Sequence, residues 1–347
     1  MLVLSFLATA LYWPHVEGAV TTPRWALLAI VVPWFLHEQR LTAVHIAGGA
    51  FLAWAALTML WNPAPLDGMG ALLTLFVLAV CFCLGSQLSN LQPLYIGAAL
   101  GITVSSIIAV VQFAGFHPLL TITPVSGLFA NGDFMAEAAA LVLVAVVSER
   151  IWWAVPGLLP ALVLPFARGA ALACAVALLV HFRGRKGFWF LLCAVPVAVA
   201  LYALVKGDDG AIADRLFIWR SAFDGITLFG HGVGSFWSTF PLYDLRFVPL
   251  RTPEFAHNEF LNVAFELGIV GLVLFAVFCL MLIGPLDTPR LVLIALLVES
   301  CFAFPLHEPT TAFLGMVVAG YAVWNRYLLR DLVAGCRRTG ATRLARG

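Results

Sequence analysis

Two arginines in this sequence have the residue context of phosphate ligands. Arg168 precedes Gly169 at a turn between two apolar segments, where the glycine allows a tight bend. Arg215 lies four residues before Trp219 in a segment with helical periodicity. Arg215 has no acidic residue three or four positions after it, so its guanidinium is available for a phosphate group. Arg168 has an alternative interpretation, in which its side chain only extends to the membrane–water interface.

A histidine and three polar residues are the second set of candidate groups. His257 precedes Asn258, and Asn258, Asn262 and Glu266 are spaced four residues apart, which predicts one polar stripe on a helix. Histidine is the usual general base near neutral pH, and polar groups that enter a bilayer commonly mark a site. The stripe could instead hydrogen-bond to neighbouring helices, which fits Asn262 and Glu266 better than His257. No metal site is expected, because His257 has no His or Cys three or four residues away.

A glycine-rich segment and several flanking residues complete the candidate site. Gly230, Gly232 and Gly234 stand at alternate positions, which allows a tight loop, but the spacing differs from the dinucleotide-binding G-x-G-x-x-G pattern. Other polar residues are expected to frame the same cavity: Asn131, Asp133, His307 and Glu308. Asn131 or Asp133 could also simply cap a helix.

The composition predicts the elements that position these residues. Of the 347 residues, 62% are hydrophobic and 11% are charged, against roughly half and about a quarter in soluble domains. This composition excludes a water-soluble globule, and recurring apolar runs predict an all-α, polytopic membrane protein. About twelve transmembrane helices are predicted, at 2–14, 22–36, 41–61, 67–87, 91–116, 131–148, 151–166, 169–182, 188–205, 264–285, 290–304 and 311–329.

The predicted domain organisation is a single polytopic membrane domain over residues 1–347 with one large outer loop. This loop, residues 206–263, connects the ninth and tenth predicted spans and contains an interfacial helix at about 212–226. A basic tail follows at 326–347.

The distribution of basic residues predicts the orientation in the membrane. Twelve of the 19 Lys and Arg lie on the side of the C-terminus. The short loops on the other side contain only Arg24 and Arg168. The positive-inside rule therefore predicts a cytoplasmic C-terminus and an outer face that carries all of the candidate residues.

The order of these motifs resembles the O-antigen ligase and polymerase superfamily, which also includes bacterial protein O-oligosaccharyltransferases. The twelve predicted spans, with the large loop between the ninth and tenth, match the ligase layout. The sequence departs from the family pattern at Ala167, where a serine often precedes the arginine. The motifs that carry the resemblance are Arg168-Gly169, Arg215-x-x-x-Trp219, Gly230-x-Gly-x-Gly234-x-Phe236 and Ala256-His257-Asn258-x-x-Leu261-x-x-x-x-Glu266-x-Gly268.

The resemblance implies a GT-C-like glycosyltransferase of the bacterial inner membrane, with no metal or other cofactor. It would transfer a glycan from undecaprenyl pyrophosphate to an acceptor hydroxyl on the periplasmic face, with lipid A-core as the first candidate acceptor. Arg168 and Arg215 would bind the pyrophosphate, and His257 would orient or deprotonate the hydroxyl. The residues implied to position the acceptor or support the site are Glu266, Asn258, Trp219, Gly230, Gly232, Gly234 and Asn131.

Three alternatives stay open from the sequence. Within the superfamily, the chain could be a polymerase whose acceptor is another lipid-linked repeat unit, or an oligosaccharyltransferase with a protein acceptor. From a different class, a membrane transporter or flippase would also be apolar and contain scattered arginines. Transporters place their polar residues near mid-membrane, often in repeated halves, whereas the polar clusters here lie at one face and no repeat is visible.

Overall fold

The computed structural model describes residues 1–12, 20–37, 41–119, 121–184, 210–244 and 253–324. Within these ranges all regular secondary structure is helical, as the sequence predicts. The predicted ninth span (188–205), two parts of the predicted outer loop and the basic tail (326–347) lie outside the described residues.

The described helices follow the apolar runs of the sequence. Helices α2 and α3 each continue into a short 3-10 turn, Val32–Phe35 and Thr58–Trp61, and a single helical turn forms at Phe236–Thr239. In chain order the helices are α1 (Leu2–Ala10), α2 (Thr21–Val31), α3 (Ala43–Leu57), α4 (Pro65–Gly85), α5 (Gln92–Phe113), α6 (Gly132–Ser148), α7 (Val155–Val163), α8 (Arg168–Phe182), α9 (Ala211–Asp224), α10 (Glu259–Met281), α11 (Thr288–Ser300) and α12 (Pro309–Trp324).

Four of these helices are long and apolar enough to cross a membrane: α3 with its 3-10 turn, α4, α5 and α10. Three shorter apolar helices are Trp152–Val163, α8 and α12. Large apolar side chains point outward, and Phe76 and Ile107 are 60% and 62% exposed. Such faces are stable against lipid and unfavourable in water. The chain is thus consistent with a membrane protein, and the number of twelve spans stays a prediction.

Helix α6 lies at the centre of the bundle. Every residue from Met135 to Val147 is buried, and α6 packs against α5, α7, α8 and α11. Its many alanines let these helices approach closely. Glu137, near the N-terminal end of α6, is therefore held inside the protein, whereas Asp133 is half-buried.

Helix α10 is interrupted at Gly268, whose backbone has φ +71° and ψ −174°. The break frees backbone groups that would otherwise bond within the helix. The N–H of Gly232 donates to the carbonyl oxygen of Glu266 (2.8 Å). The indole N–H of Trp54 donates to the carbonyl oxygen of Leu267 (2.8 Å). Donors from other parts of the protein thus bond to the carbonyl groups that the break leaves free. A backbone inside a membrane requires such partners.

Arg24 was predicted to lie in a short outer loop, and this prediction is wrong. Arg24 lies inside α2 and is fully buried. Its guanidinium donates to the hydroxyl of Thr310 (2.7 Å) and to the carbonyl oxygens of Leu11, Thr9 and Leu128 (3.1, 2.8 and 3.0 Å). These four bonds tie α1, the segment before α6 and the start of α12 together. Arg24 therefore stabilises the bundle and is not an outer-loop charge.

Candidate functional site

The loop between α11 and α12, residues 301–308, contacts both arginine-bearing segments. A Cβ placed on Gly169 would lie 3.5 Å from the Cβ of Phe302, which is ordinary packing distance. The rings of Phe302 and Trp219 have centroids 6.4 Å apart. This loop therefore links the N-terminus of α8 to helix α9, two elements that the sequence separates by more than forty residues.

The same loop holds the histidine segment. The side-chain N–H of Asn258 donates to the carbonyl oxygen of Cys301 (3.1 Å). The ring of His257 meets the ring of Phe304 edge to face, with centroids 5.1 Å apart. Asn258 also accepts the N–H of Leu261 (3.0 Å) and so caps α10. Asn258 thus lies before the first turn of α10, which begins at Glu259, five residues before the predicted tenth span.

Two hydrogen bonds fix the peptide that precedes His257. The indole N–H of Trp219 donates to the carbonyl oxygen of Ala256 (3.0 Å), and the N–H of Ala256 donates to Oδ1 of Asn262 (3.1 Å). His257 itself has φ +51°. A residue with a Cβ adopts this left-handed conformation only where the surrounding structure imposes it. The anchored peptide therefore fixes the position of the imidazole.

Burial and a neighbouring cation set the protonation of His257. Burial lowers the pKa of His257, and the positive charge of Arg215 lowers it further, to about 4. His257 is therefore neutral at pH 7, and a ring nitrogen is able to accept a proton or a hydrogen bond. Arg215 lies one helical turn before Trp219, which bonds to the peptide before His257, so α9 carries this guanidinium on the side of the imidazole.

Helix α9 faces the bundle on one side and the surroundings on the other. It buries Ile218 and Ala222, leaves Phe223 69% exposed and holds Arg215 half-buried between the two faces. The charge of Arg215 also acts on Glu137 of α6, which is 5% exposed. Sequence reasoning missed Glu137, because contacts between distant helices leave no spacing pattern.

Arg168 is the first residue of α8. The chain enters this helix through Phe166, which has φ +60°, so the tight bend occurs at Phe166 and not at Gly169 as the sequence predicts. The N–H groups of a first helical turn and the helix dipole favour anions. Arg168 is half-buried at this position. Both the side chain and the helix end are therefore suited to a phosphate group.

Glu266 contacts the glycine-rich loop directly. Its Oε2 accepts the N–H of Gly234 (2.8 Å) and its Oε1 accepts the N–H of Phe236 (3.1 Å). Glu266 is 6% exposed. Because both oxygens bond to the protein, these contacts favour a positioning role for Glu266 over direct contact with a substrate.

Close packing requires the three glycines of this loop. Gly230, Gly232 and Gly234 have φ of +77°, +110° and +70°. A Cβ on Gly230 would lie 2.2 Å from the carbonyl oxygen of Glu266, and one on Gly232 would lie 2.7 Å from Cβ of Asn62. The alternating glycines thus fit the loop into the break of α10, and they mark an internal contact of the protein.

Asn131 caps helix α6. Its Oδ1 accepts the N–H of Asp133 (3.0 Å). One residue further on, the ring of Phe134 lies 5.6 Å from the ring of Phe304. Asn131 therefore fixes the end of α6 that contacts loop 301–308.

Glu259 and His307 form an ion pair that no sequence pattern predicts. Nδ1 of His307 lies 3.3 Å from Oε2 of Glu259, and Oε1 of Glu259 accepts the N–H of Leu306 (2.7 Å). His307 was expected only to frame the cavity. The fold places it opposite Glu259, 48 residues earlier in the chain.

Among the described residues, no group of three His, Cys, Asp or Glu side chains is placed to bind a metal ion. The expectation that the protein uses no metal or other cofactor stays a prediction.

Comparison with known families matches residues 134–276 to the O-antigen ligase family. The matched range runs from α6 into α10 and includes Arg168, Arg215, His257 and Glu266. No curated protein matches the chain. The family match confirms the resemblance that the motifs predict.

Proposed function

Because residues 134–276 match the O-antigen ligase family, we propose that this chain belongs to the O-antigen ligase and polymerase superfamily and transfers a glycan from undecaprenyl pyrophosphate to an acceptor hydroxyl. The acceptor is the lipid A-core of lipopolysaccharide. The reaction takes place at the periplasmic face of the bacterial inner membrane, and the C-terminus of the protein lies in the cytoplasm.

The observation that carries this proposal is the hydrogen bond from Trp219 to Ala256, which places the arginine-bearing helix α9 beside the neutral imidazole of His257. The pKa of His257 falls to about 4 through burial and through the charge of Arg215. A glycan transfer from pyrophosphate needs both groups at one place: a lone pair for the acceptor hydroxyl and a cation for the departing phosphate. Loop 301–308 joins them to the N-terminus of α8, which adds Arg168.

In the proposed reaction, the acceptor oxygen attacks the anomeric carbon of the donor glycan. The bond from that carbon to the pyrophosphate oxygen breaks, and its electron pair leaves with the undecaprenyl pyrophosphate. The proton of the hydroxyl passes to His257, and Arg168 and Arg215 stabilise the negative charge of the leaving group. Two guanidinium groups would supply the charge that a metal ion provides in other phosphate-leaving reactions, so the transfer is metal-independent.

The other predicted site residues act by positioning these three. Trp219 anchors the peptide before His257, and Asn258 fixes the start of α10 against loop 301–308. Glu266 and the glycine-rich loop stabilise the break of α10, while Asn131 fixes the end of α6. Their substitution would alter geometry and not remove a reacting group.

Reconstitution of the purified protein in liposomes tests the proposal. The liposomes contain undecaprenyl pyrophosphate-linked glycan and lipid A-core, and the products are separated by gel electrophoresis. We expect glycan-bearing lipid A-core and free undecaprenyl pyrophosphate, and neither with His257→Ala. Elongated lipid-linked glycan with unmodified lipid A-core would identify a polymerase instead. Unchanged donor and acceptor would contradict any transferase.

A deletion strain gives an independent test. Without a ligase, long glycan chains are not transferred from undecaprenyl pyrophosphate to the acceptor, so we expect undecaprenyl-linked chains to accumulate. Accumulation of single lipid-linked repeat units would favour the polymerase, and an unaltered lipid-linked pool would favour a transporter or flippase.

A further inference from the structure

The ion pair between Glu259 and His307 lies beside the proposed site and has no part in the mechanism above. Glu259 is the first residue of α10, directly after the Asn258 cap, and His307 belongs to loop 301–308. The side chain of Glu259 is 2% exposed, whereas that of His307 is 27% exposed. A buried carboxylate thus holds a partly accessible imidazole.

The orientation of the His307 ring follows from its contacts. Glu259 lies at Nδ1, at 3.3 Å, and the ring of Phe255 packs against the imidazole with centroids 4.1 Å apart. Within the described part of the chain, Nε2 makes no hydrogen bond. Because Nδ1 faces Glu259, Nε2 is the ring nitrogen whose N–H is available to a ligand.

His307 belongs to the same aromatic cluster as His257. The ring of Phe304 lies 5.1 Å from the ring of His257 and 6.4 Å from that of His307. Loop 301–308 also contacts Gly169, next to Arg168, and Trp219, one helical turn after Arg215. The available N–H therefore lies on the loop that borders both proposed phosphate ligands.

We propose that His307 is a third cationic phosphate-binding residue of this site, which donates its Nε2–H to an oxygen of the donor pyrophosphate as that group departs. This inference rests on the proposed function. No proton is transferred in this step: the imidazolium keeps its proton, and the hydrogen bond strengthens as negative charge collects on the leaving group. Glu259 orients the ring and compensates its charge, as a carboxylate does for a histidine that binds a metal or an anion.

The charges around His307 favour the imidazolium form. Burial lowers the pKa of His307, but the carboxylates that face it raise the pKa above its ordinary value. Those carboxylates are Glu259 and Glu266 on α10 and Glu254 on the segment before it. On its own loop, the neighbouring Glu308 faces Arg24. His307 is thus a cation below its raised pKa and loses this charge as the pH rises through it.

The pair also has a purely structural interpretation, because Glu259 accepts the N–H of Leu306 and so fixes the loop. The pH dependence of the transfer rate distinguishes the structural role of this pair from the phosphate-binding role. A structural pair would affect stability and leave the pH profile unchanged. If the imidazolium binds phosphate, the rate falls at alkaline pH as His307 loses its proton.

The experiment measures kcat against pH for the full-length protein in liposomes, with undecaprenyl pyrophosphate-linked glycan and lipid A-core. His307→Gln keeps a hydrogen-bond donor without a charge, and we expect kcat to fall about 10- to 100-fold and the alkaline limb to disappear. Glu259→Gln keeps an oxygen for the N–H of Leu306 but removes the carboxylate, so the limb should shift to lower pH. His117→Gln, at an exposed histidine, is the matched control and should match the wild type.

Two results would overturn the inference. His307→Gln with an unchanged rate would exclude His307 as a ligand. A slower His307→Gln variant that keeps the wild-type alkaline limb would show a structural pair. In both cases the wild type still transfers glycan, so the proposed function stands. If the wild type transfers none, the proposed function fails and this inference with it.

Discussion

The indole N–H of Trp219 donates a hydrogen bond to the carbonyl oxygen of Ala256, the residue directly before His257. Trp219→Phe removes this bond and keeps an aromatic ring in contact with the loop. Since the backbone of His257 is strained, we expect the imidazole to move and transfer to fall about 10- to 100-fold, with normal accumulation in the membrane. Trp237→Phe, at a 52% exposed tryptophan, is the control. Equal rates for both variants would show that the bond does not position His257.

The acid dependence of transfer follows from the lowered pKa of His257. The active form is the neutral imidazole, which is lost as the pH falls through about 4. We therefore expect the acid limb of the rate, measured in liposomes, to have its midpoint near pH 4. An ordinary histidine would give a midpoint near 6.5, and that result would contradict the environment described for His257.

Replacement of the two arginines by lysine tests phosphate binding. Arg168→Lys and Arg215→Lys keep the charge but lose the planar pair of N–H donors. We expect donor turnover to fall about 10- to 100-fold in each variant. Arg220→Lys, at an exposed arginine of the same helix α9, should match the wild type. Unchanged turnover in both test variants would refute a two-pronged contact with the pyrophosphate.

Glu266→Gln tests the link between α10 and the glycine-rich loop. A glutamine has one oxygen for two N–H donors, those of Gly234 and Phe236, so one buried donor would face an NH2 group. We expect the free energy of unfolding to fall by about 2 to 3 kcal/mol in a denaturant titration in detergent. Glu149→Gln, at an exposed glutamate, is the control. A variant as stable as the wild type would exclude these bonds as a source of stability.

Gly268→Ala tests the break in α10. The residue has φ +71°, and a Cβ there would lie 2.4 Å from the backbone nitrogen of Gly230. We expect the free energy of unfolding to fall by about 3 kcal/mol or more, and the variant to accumulate poorly in the membrane. Gly49→Ala in α3 is the matched control, because a Cβ there meets nothing within 4 Å and alanine favours the helix. Similar levels of both variants would contradict the tight contact at the break.

The sequence by itself determined the helical class and the order of the motifs. Apolar runs bounded by polar and turn residues locate helices well, because lipid requires each spanning segment to satisfy its own backbone hydrogen bonds. The motif order around Arg168, Arg215 and His257 likewise predicted the match of residues 134–276 to the O-antigen ligase family, since these residues are recognised by type and spacing. The helix at Ala211–Asp224 lies close to the predicted interfacial segment for the same local reason.

Only the tertiary structure decided which polar residues meet. The pairing of Glu259 with His307 and the four bonds of Arg24 join segments far apart in the chain. Helical spacing describes neighbours on one helix, whereas these contacts depend on how helices cross. The same limit applies to Glu266, because the break at Gly268 brings the glycine-rich loop to its carboxylate. The left-handed backbone at Gly268 is imposed by packing, and it gives Glu266 a structural partner. Glu266 therefore positions the site, whereas His257, Arg168 and Arg215 are the residues proposed to react in it.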